Sequence, residues 1–359
     1  MLKRRDFLKG AAILGGAALF GKSVFALSKK VRIGVLAPSH CAMPVVYGQT
    51  LSLYKKAGIE STVVYAKDMK EIVKGLQTGD LDFGQIMAPL AIGITAGVQQ
   101  FPKMPLAATQ ILGINGGVLA ISAKHDIKKL TDLKGKTIGV HSPFIVHSLI
   151  LDYILEKSGL DAKKDLTIKV IPMNEMAKAL EEGAIDGFIN SEPMPTSLEK
   201  KGLAKTLLKT KMFWLDHPCC VLTTRWTTLE KEKNLVADVT RATMVAGLIL
   251  NREATRGKAI SDIQKSAAPY QNIPLLVLLE ACGTERSDFY PFPYKSSGVV
   301  IADRMKKGKL LDQQTDTDML AASVFKSEFA MEIMKEAVKE VPGSKVPETI
   351  SRHENISLT

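Results

Sequence analysis

The sequence predicts an α/β protein of two lobes, each a parallel-rich sheet covered by helices. Three observations predict it. Apolar runs of strand character alternate with segments of helical spacing, the pattern of parallel sheets with helices on both faces. The pattern also repeats: Leu180, Gly183 and Asp186 in LEEGAID reproduce the spacing of Leu76, Gly79 and Asp82 in LQTGDLD. In each copy a helix closes on glycine, which suits a left-handed cap, and a strand follows at once. Finally, 359 residues of 46% hydrophobic content allow about two domains with sizeable cores.

The chain opens with Lys3, Arg4, Arg5 and Lys9, then a Gly- and Ala-rich apolar run over 10–20 and a small-residue stretch ending at Ala26. A charged start, an apolar run too short to span a bilayer and a small-residue cleavage site together read as a signal peptide over 1–26. The RRDFLK core resembles a twin-arginine export signal, so the mature protein is expected in the periplasm.

Residues 31–37 then predict the first strand, and 45–57 a helix ended by Gly58. Strands follow at 61–66 and 81–86, with helices at 68–78 and 90–96. Residues 104–112 and 117–122 are apolar and extended, separated by Asn115-Gly116. A new cycle starts after the Lys134-Gly135 turn. It has a strand at 137–140, a helix at 147–157 closed by Gly159, a strand at 166–171, a helix at 174–182 and a strand at 184–189. A return strand at 221–224 and a long helix at 234–251 follow, and the remainder to about residue 339 reads as mostly helical. The expected division is 27–118 plus 223–341 for the first lobe, 119–222 for the second, and a loose tail at 342–359. Crossings near 117–122 and 220–224 would form a two-strand hinge.

The formal net charge is +11; without the first 26 residues, which hold five basic groups and one acidic, it is about +7. The excess is scattered, with no dense arginine patch, so nucleic acid is not an expected partner. Four cysteines are too few for a disulfide scaffold at this length. No arrangement of nucleophile and base or of paired carboxylates has the spacing of an active site, so an enzyme is not expected.

In open α/β sheets ligands bind beyond the carboxyl ends of the strands. Those ends here carry His141-Ser142-Pro143, Met173-Asn174-Glu175 and Asn190-Ser191-Glu192-Pro193. His40 and Cys41 sit in the loop after the first strand, and Met87 ends the third. His147 opens a helix, where free backbone N–H groups favour an anion.

LKGKTIGV at 133–140, the helix entered at His147, EGAIDGFINSEP at 182–193 and Asp216-His217-Pro218 carry a resemblance to a known family. They resemble periplasmic substrate-binding proteins of the nitrate/sulfonate/bicarbonate family of ABC importers, most of all the nitrate- and bicarbonate-binding branch. The resemblance spans about 31–339. It implies a type II periplasmic-binding fold of two lobes that close on a small polar or anionic solute and deliver it to a permease in the inner membrane. A monomer without a cofactor is expected.

By the same resemblance the anion-holding histidine corresponds to His147. The family's lysine falls at Cys220 and its glutamine at Gly117, so two of three nitrate-recognition side chains are absent. Removing a charged partner from a buried ion costs about 2–5 kcal/mol, which argues against nitrate and bicarbonate as ligands. The candidate ligand-binding residues are therefore His40, Cys41, Met87, Asn115, Gly117, Ser142, His147, Glu192, His217 and Cys220. No metal is expected, because HPCC at 217–220 lacks the CxxC spacing of a structural zinc site. The alternative is a periplasmic metal or metal-complex binding protein that uses His217, Cys219 and Cys220; an enzyme or a ligand sensor on the same fold is a further alternative.

Overall fold

The structure is a computed structural model that describes residues 29–98 and 101–356. The expected signal peptide, 1–26, lies outside the described residues. Among the described residues no helix is long and apolar enough to cross a membrane.

The strands are β1 (Lys29–Val35), β2 (Ile59–Tyr65), β3 (Phe83–Met87), β4 (Leu106–Asn115), β5 (Gly117–Ser122), β6 (Thr137–Val140), β7 (Thr167–Val170), β8 (Gly187–Ser191), β9 (Ala204–Lys209), β10 (Pro218–Arg225) and β11 (Ser287–Asp288). They form two sheets, in the orders β11-β4-β10-β3-β1-β2 and β7-β6-β8-β5-β9. The two orders follow one plan. In the first sheet β2, β1 and β3 are parallel, and β10 joins antiparallel to β3. In the second β7, β6 and β8 are parallel, and β5 joins antiparallel to β8. The α/β class and the two-sheet architecture are as the sequence predicts.

The internal echo has a structural meaning. Gly79 and Gly183 both adopt left-handed backbone, with φ of 83° and 75°. Three residues later Asp82 and Asp186 perform the same task. The Asp82 carboxylate accepts the Arg32 N–H at 2.8 Å, and that of Asp186 accepts the Thr137 N–H at 2.8 Å. Each aspartate therefore ties the strand it precedes, β3 or β8, to its parallel neighbour, β1 or β6, and the chain does so twice.

Burial explains the apolar runs. All ten residues of β4 and all five of β3 are buried, as expected for strands covered on both faces. β7 lies at an edge and is exposed throughout, including Val170.

Three boundaries differ from the sequence reading. The helix expected over 45–57 is two, Met43–Thr50 and Leu53–Lys56, broken at Ser52 with φ 55°. The break turns Tyr54 inward, where its hydroxyl meets Thr243 at 2.9 Å. The second lobe was expected to reach residue 222, with a crossing at 220–224. Instead β10 pairs with β3 and β4, so 218–225 belongs to the first sheet. The chain passes between sheets at Gly116 and again over 210–217; an apolar run such as 219–224 fits a strand of either sheet, and only pairing decides. The tail is packed rather than loose. Glu354 accepts hydrogen bonds from Trp214 Nε1 at 2.9 Å and from the Ser296 and Ser297 hydroxyls, and Leu215 N–H donates to the Asn355 carbonyl. Its polar composition serves these bonds, which composition alone does not reveal.

Candidate functional site

The two sheets meet at a cavity lined from both sides. From the first sheet come Ser39 and Cys41 after β1, Gln85 and Met87 on β3, and Cys219 and Cys220 on β10. From the second come His141 after β6, His147 on the helix Val146–Lys157, Met173, and Asn190 on β8. The free space between them is about 20 Å³, and holding one water takes about 10–15 Å³. The cleft is thus nearly closed around room for one very small group.

Backbone contacts hold the walls together. The Glu192 carbonyl accepts the His40 N–H at 3.1 Å, and the Glu192 N–H donates to the Gly116 carbonyl at 2.8 Å. His40 Nδ1 also faces the Glu192 carbonyl, at 3.4 Å. A carbonyl only accepts, so Nδ1 carries the proton. Burial lowers the His40 pKa, which makes the ring neutral and leaves Nε2 bare. The Cys41 thiol lies 3.3 Å from that nitrogen.

Three thiols gather here. Cys219 Sγ is 3.8 Å from His147 Nε2 and 4.0 Å from Cys220 Sγ, and Gln85 Nε2 donates to Cys220 Sγ at 3.5 Å. Hydrogen bonds from Cys219 and Cys41 hold the Cys220 thiol well below its ordinary range, against its burial. Cys41 is pushed well up, first by burial. His147 is held well below its usual value by burial and by the neighbouring His217 and His40 rings. None of the lining residues is Lys, Arg, Asp or Glu. A bare anion here would find neutral histidines and no cation.

The residues expected from sequence divide into two groups. Cys41, Met87, His147 and Cys220 line the cavity, with His40 packed behind Cys41. Asn115, Gly117, Ser142, Glu192 and His217 do not line it. Asn115 knits the crossing, donating to Asp288 Oδ2 at 2.9 Å and accepting the Asp216 N–H at 2.9 Å. Ser142 Oγ accepts the Phe144 N–H in its own turn. Glu192 is fully buried, pairs with Arg286 Nη1 at 2.6 Å and accepts from both the N–H and the hydroxyl of Thr196. Burial raises its carboxyl pKa, opposed by the Arg286 charge.

His217 is turned to Thr210, with Nε2 2.8 Å from Oγ1. The Thr210 hydroxyl donates its one proton to the Gly117 carbonyl, so Nε2 supplies the hydrogen between the two side chains. Burial lowers His217 to about 3. The metal alternative of His217, Cys219 and Cys220 is accordingly not assembled as a group; the donor atoms within 4.8 Å of one another are those of His40, Cys41 and Cys219.

Gly117 has a steric reason. A Cβ there would collide with the His147 ring and lie 2.6 Å from Thr210 Oγ1. Where the family resemblance places a glutamine, this chain has His147 packed onto bare backbone.

Sequence reasoning did not select Gln85, Met173, His141 or Asn190. Gln85 was legible as an amide inside an apolar strand. The other three stand at the strand ends singled out above, His141 and Asn190 one and two positions from the selected Ser142 and Glu192. Asn190 Nδ2 and His141 Nδ1 are buried and have no hydrogen-bond partner, so both are available to a ligand.

The model of the NMT1-like family matches residues 26–264. The chain is 27% identical over 203 residues to the nitrate import ATP-binding protein NrtC of Synechocystis sp. (strain ATCC 27184 / PCC 6803 / Kazusa), covering 53% of this chain and 30% of that protein. It is 27% identical over 219 residues to the nitrate/nitrite binding protein NrtA of Synechococcus elongatus (strain ATCC 33912 / PCC 7942 / FACHB-805), covering 55% of this chain and 49% of that one. The aligned region is thus under a third of NrtC and about half of NrtA. The crystal structure of the periplasmic nitrate-binding protein NrtA from Synechocystis PCC 6803 matches with a TM-score of 0.79 at 20% identity, over 91% of this chain and 93% of that one. That likeness establishes the type II fold expected from the sequence. With the family model covering more than half of its length, the chain belongs to the NMT1-like family.

Proposed function

We propose that this chain is the periplasmic solute-binding component of an ABC importer. It takes one small solute between the two sheets and presents it to a membrane permease driven by an ATPase. The observation that carries this reading is the cavity itself. It is lined from both sheets, and its lining includes Asn190 and His141, whose Nδ2 and Nδ1 are buried without hydrogen-bond partners. Such atoms are costly to bury unless a ligand satisfies them. The similarity to nitrate and bicarbonate transport proteins supports the transport role. The cavity lacks a cation, which makes those anions poor candidates for this chain.

In this reading residues 117–209 and the remainder are two bodies that separate when the site is empty and close when it is filled. The passages at Gly116 and 210–217 are the flexing points. Residues 1–26 direct export by the twin-arginine route; blocking that route is expected to leave the precursor in the cytoplasm. Small-angle scattering and native mass spectrometry on the protein isolated from the periplasm test the binding role together. A retained small mass, lost on mild denaturation and accompanied by a smaller radius of gyration, is the expected result. An unchanged radius at saturation would remove closure, and no retained or titratable solute would remove the reading.

A further inference from the structure

We propose that the cleft holds one thiophilic closed-shell cation, Zn(II) or Cu(I), on His40 Nε2, Cys41 Sγ and Cys219 Sγ. This deepens the solute-binding reading and rests on the same cleft.

The donor geometry is already that of a metal site. The three atoms lie within 4.8 Å of one another, and the Cys41 sulfur is 3.3 Å from the His40 nitrogen. A tetrahedral ion with metal–sulfur bonds of about 2.3 Å and metal–nitrogen bonds of about 2.0–2.1 Å separates its ligand atoms by about 3.5–3.8 Å. Sub-ångström side-chain shifts bring the donors to those distances. Cys219 and Cys220 are not joined, at 4.0 Å between sulfurs, where a disulfide needs about 2.0 Å.

His40 is oriented as metal-binding histidines are. One ring nitrogen faces a carbonyl, that of Glu192, and the other is left bare toward Cys41. The chain makes room for this ring: a Cβ on Gly113 or Gly116 would lie 2.6–2.9 Å from it. The donor types select the class. No carboxylate lines the cavity, so hard cations such as calcium or magnesium find no anionic oxygen to hold them. Thiolate and imidazole favour zinc and Cu(I).

Three ligands from the first sheet leave the fourth position facing the second. His147 Nε2 approaches from there, 3.8 Å from Cys219 Sγ, and Cys220 lies beside it. A bound ion would thus draw the sheets together. Coordination by Cys41 and Cys219 as thiolates forms two metal–sulfur bonds and releases two protons to solvent, with no change in oxidation state.

The test uses the full-length mature protein, reduced and stripped of metal. It is titrated with Co(II) as a spectroscopic probe, with chelator-buffered Zn(II), and with Cu(I) without oxygen. One equivalent bound, thiolate-to-cobalt charge-transfer absorption and about two protons released are expected. Cys41→Ser and Cys219→Ser should each weaken binding at least about 100-fold, since each removes one of three ligands. Cys282→Ser, at a buried cysteine beside Met43 and outside the group, should change nothing. Circular dichroism establishes that each variant is folded. Absence of the charge-transfer bands, or equal affinity in Cys41→Ser and Cys282→Ser, would overturn the proposal. A protein that takes no metal yet retains another small solute would overturn the metal site alone; one that takes neither would overturn both readings.

Discussion

Arg286→Met is the sharpest test of how the two halves are joined. Arg286 stands just before β11 of the first sheet and Glu192 just after β8 of the second; Nη1 reaches Glu192 Oε1 at 2.6 Å and Nη2 reaches Glu199 Oε2 at 2.5 Å. The Glu192 side chain has no solvent exposure and that of Arg286 only 10%. Removing one partner of such a buried pair costs about 3–5 kcal/mol, because the remaining charge is stranded. With a urea m-value of about 3 kcal/mol per molar for a chain of this size, the midpoint should fall by about 1–2 M. The sign of the pH dependence is fixed as well. Burial already raises the Glu192 pKa above its ordinary 4.5, and the variant loses the guanidinium that opposes this. A carboxyl raised on folding stabilises the folded state below its ordinary pKa and loses that contribution as pH rises through the folded one. The variant should therefore be closer to the parent at pH 4 than at pH 7. Adding Glu192→Leu, which removes the stranded charge, should restore part of the loss at pH 7. A midpoint within about 0.3 M of the parent at pH 7 would refute the reasoning.

Gly117→Ala should displace His147, because the new Cβ overlaps its ring; calorimetry should show solute affinity reduced at least tenfold, and an unchanged affinity would mean His147 does not matter. His217, held near 3 by burial against an ordinary 6.5, stabilises the fold above about pH 6.5 and loses that contribution as pH falls toward 3. Urea midpoints should therefore drop between pH 7.5 and 5.5, less steeply in His217→Gln; a flat profile would contradict the buried neutral ring. Trp214 donates to Glu354 and is buried, whereas Trp226 is exposed. In a Trp226→Phe background, ending the chain at residue 344 should shift tryptophan emission to longer wavelength, and no shift would mean the tail does not cover Trp214.

Most strands were legible because they are buried on both faces, so they read as unbroken apolar runs bounded by glycine. The echo was legible for a related reason: Gly79 with Asp82 and Gly183 with Asp186 make the same cap and the same clamp, and only those residue types do both. The site was harder. Cys41 and Cys219 are neighbours only because β10 returns beside β3 and β4, and nothing local to either cysteine announces that pairing. His217 looked like a ligand beside two cysteines, but it lies in the connection before β10 begins, and its ring meets Thr210 instead. Glu192 looked available at a strand end until Arg286, 94 residues later, was brought onto it.

Because β10 lies between β3 and β4, the first sheet cannot close until residue 225 has left the ribosome. The second sheet uses only 117–209, a single uninterrupted run. The middle of the chain is therefore the first part able to complete its sheet, while β3 and β4 wait with unpaired edges. Open edges of apolar strands are sites of mispairing. A nascent chain that has emerged as far as about residue 215 would carry one finished half and one unfinished half, and it is at that stage that binding by a chaperone would protect it most.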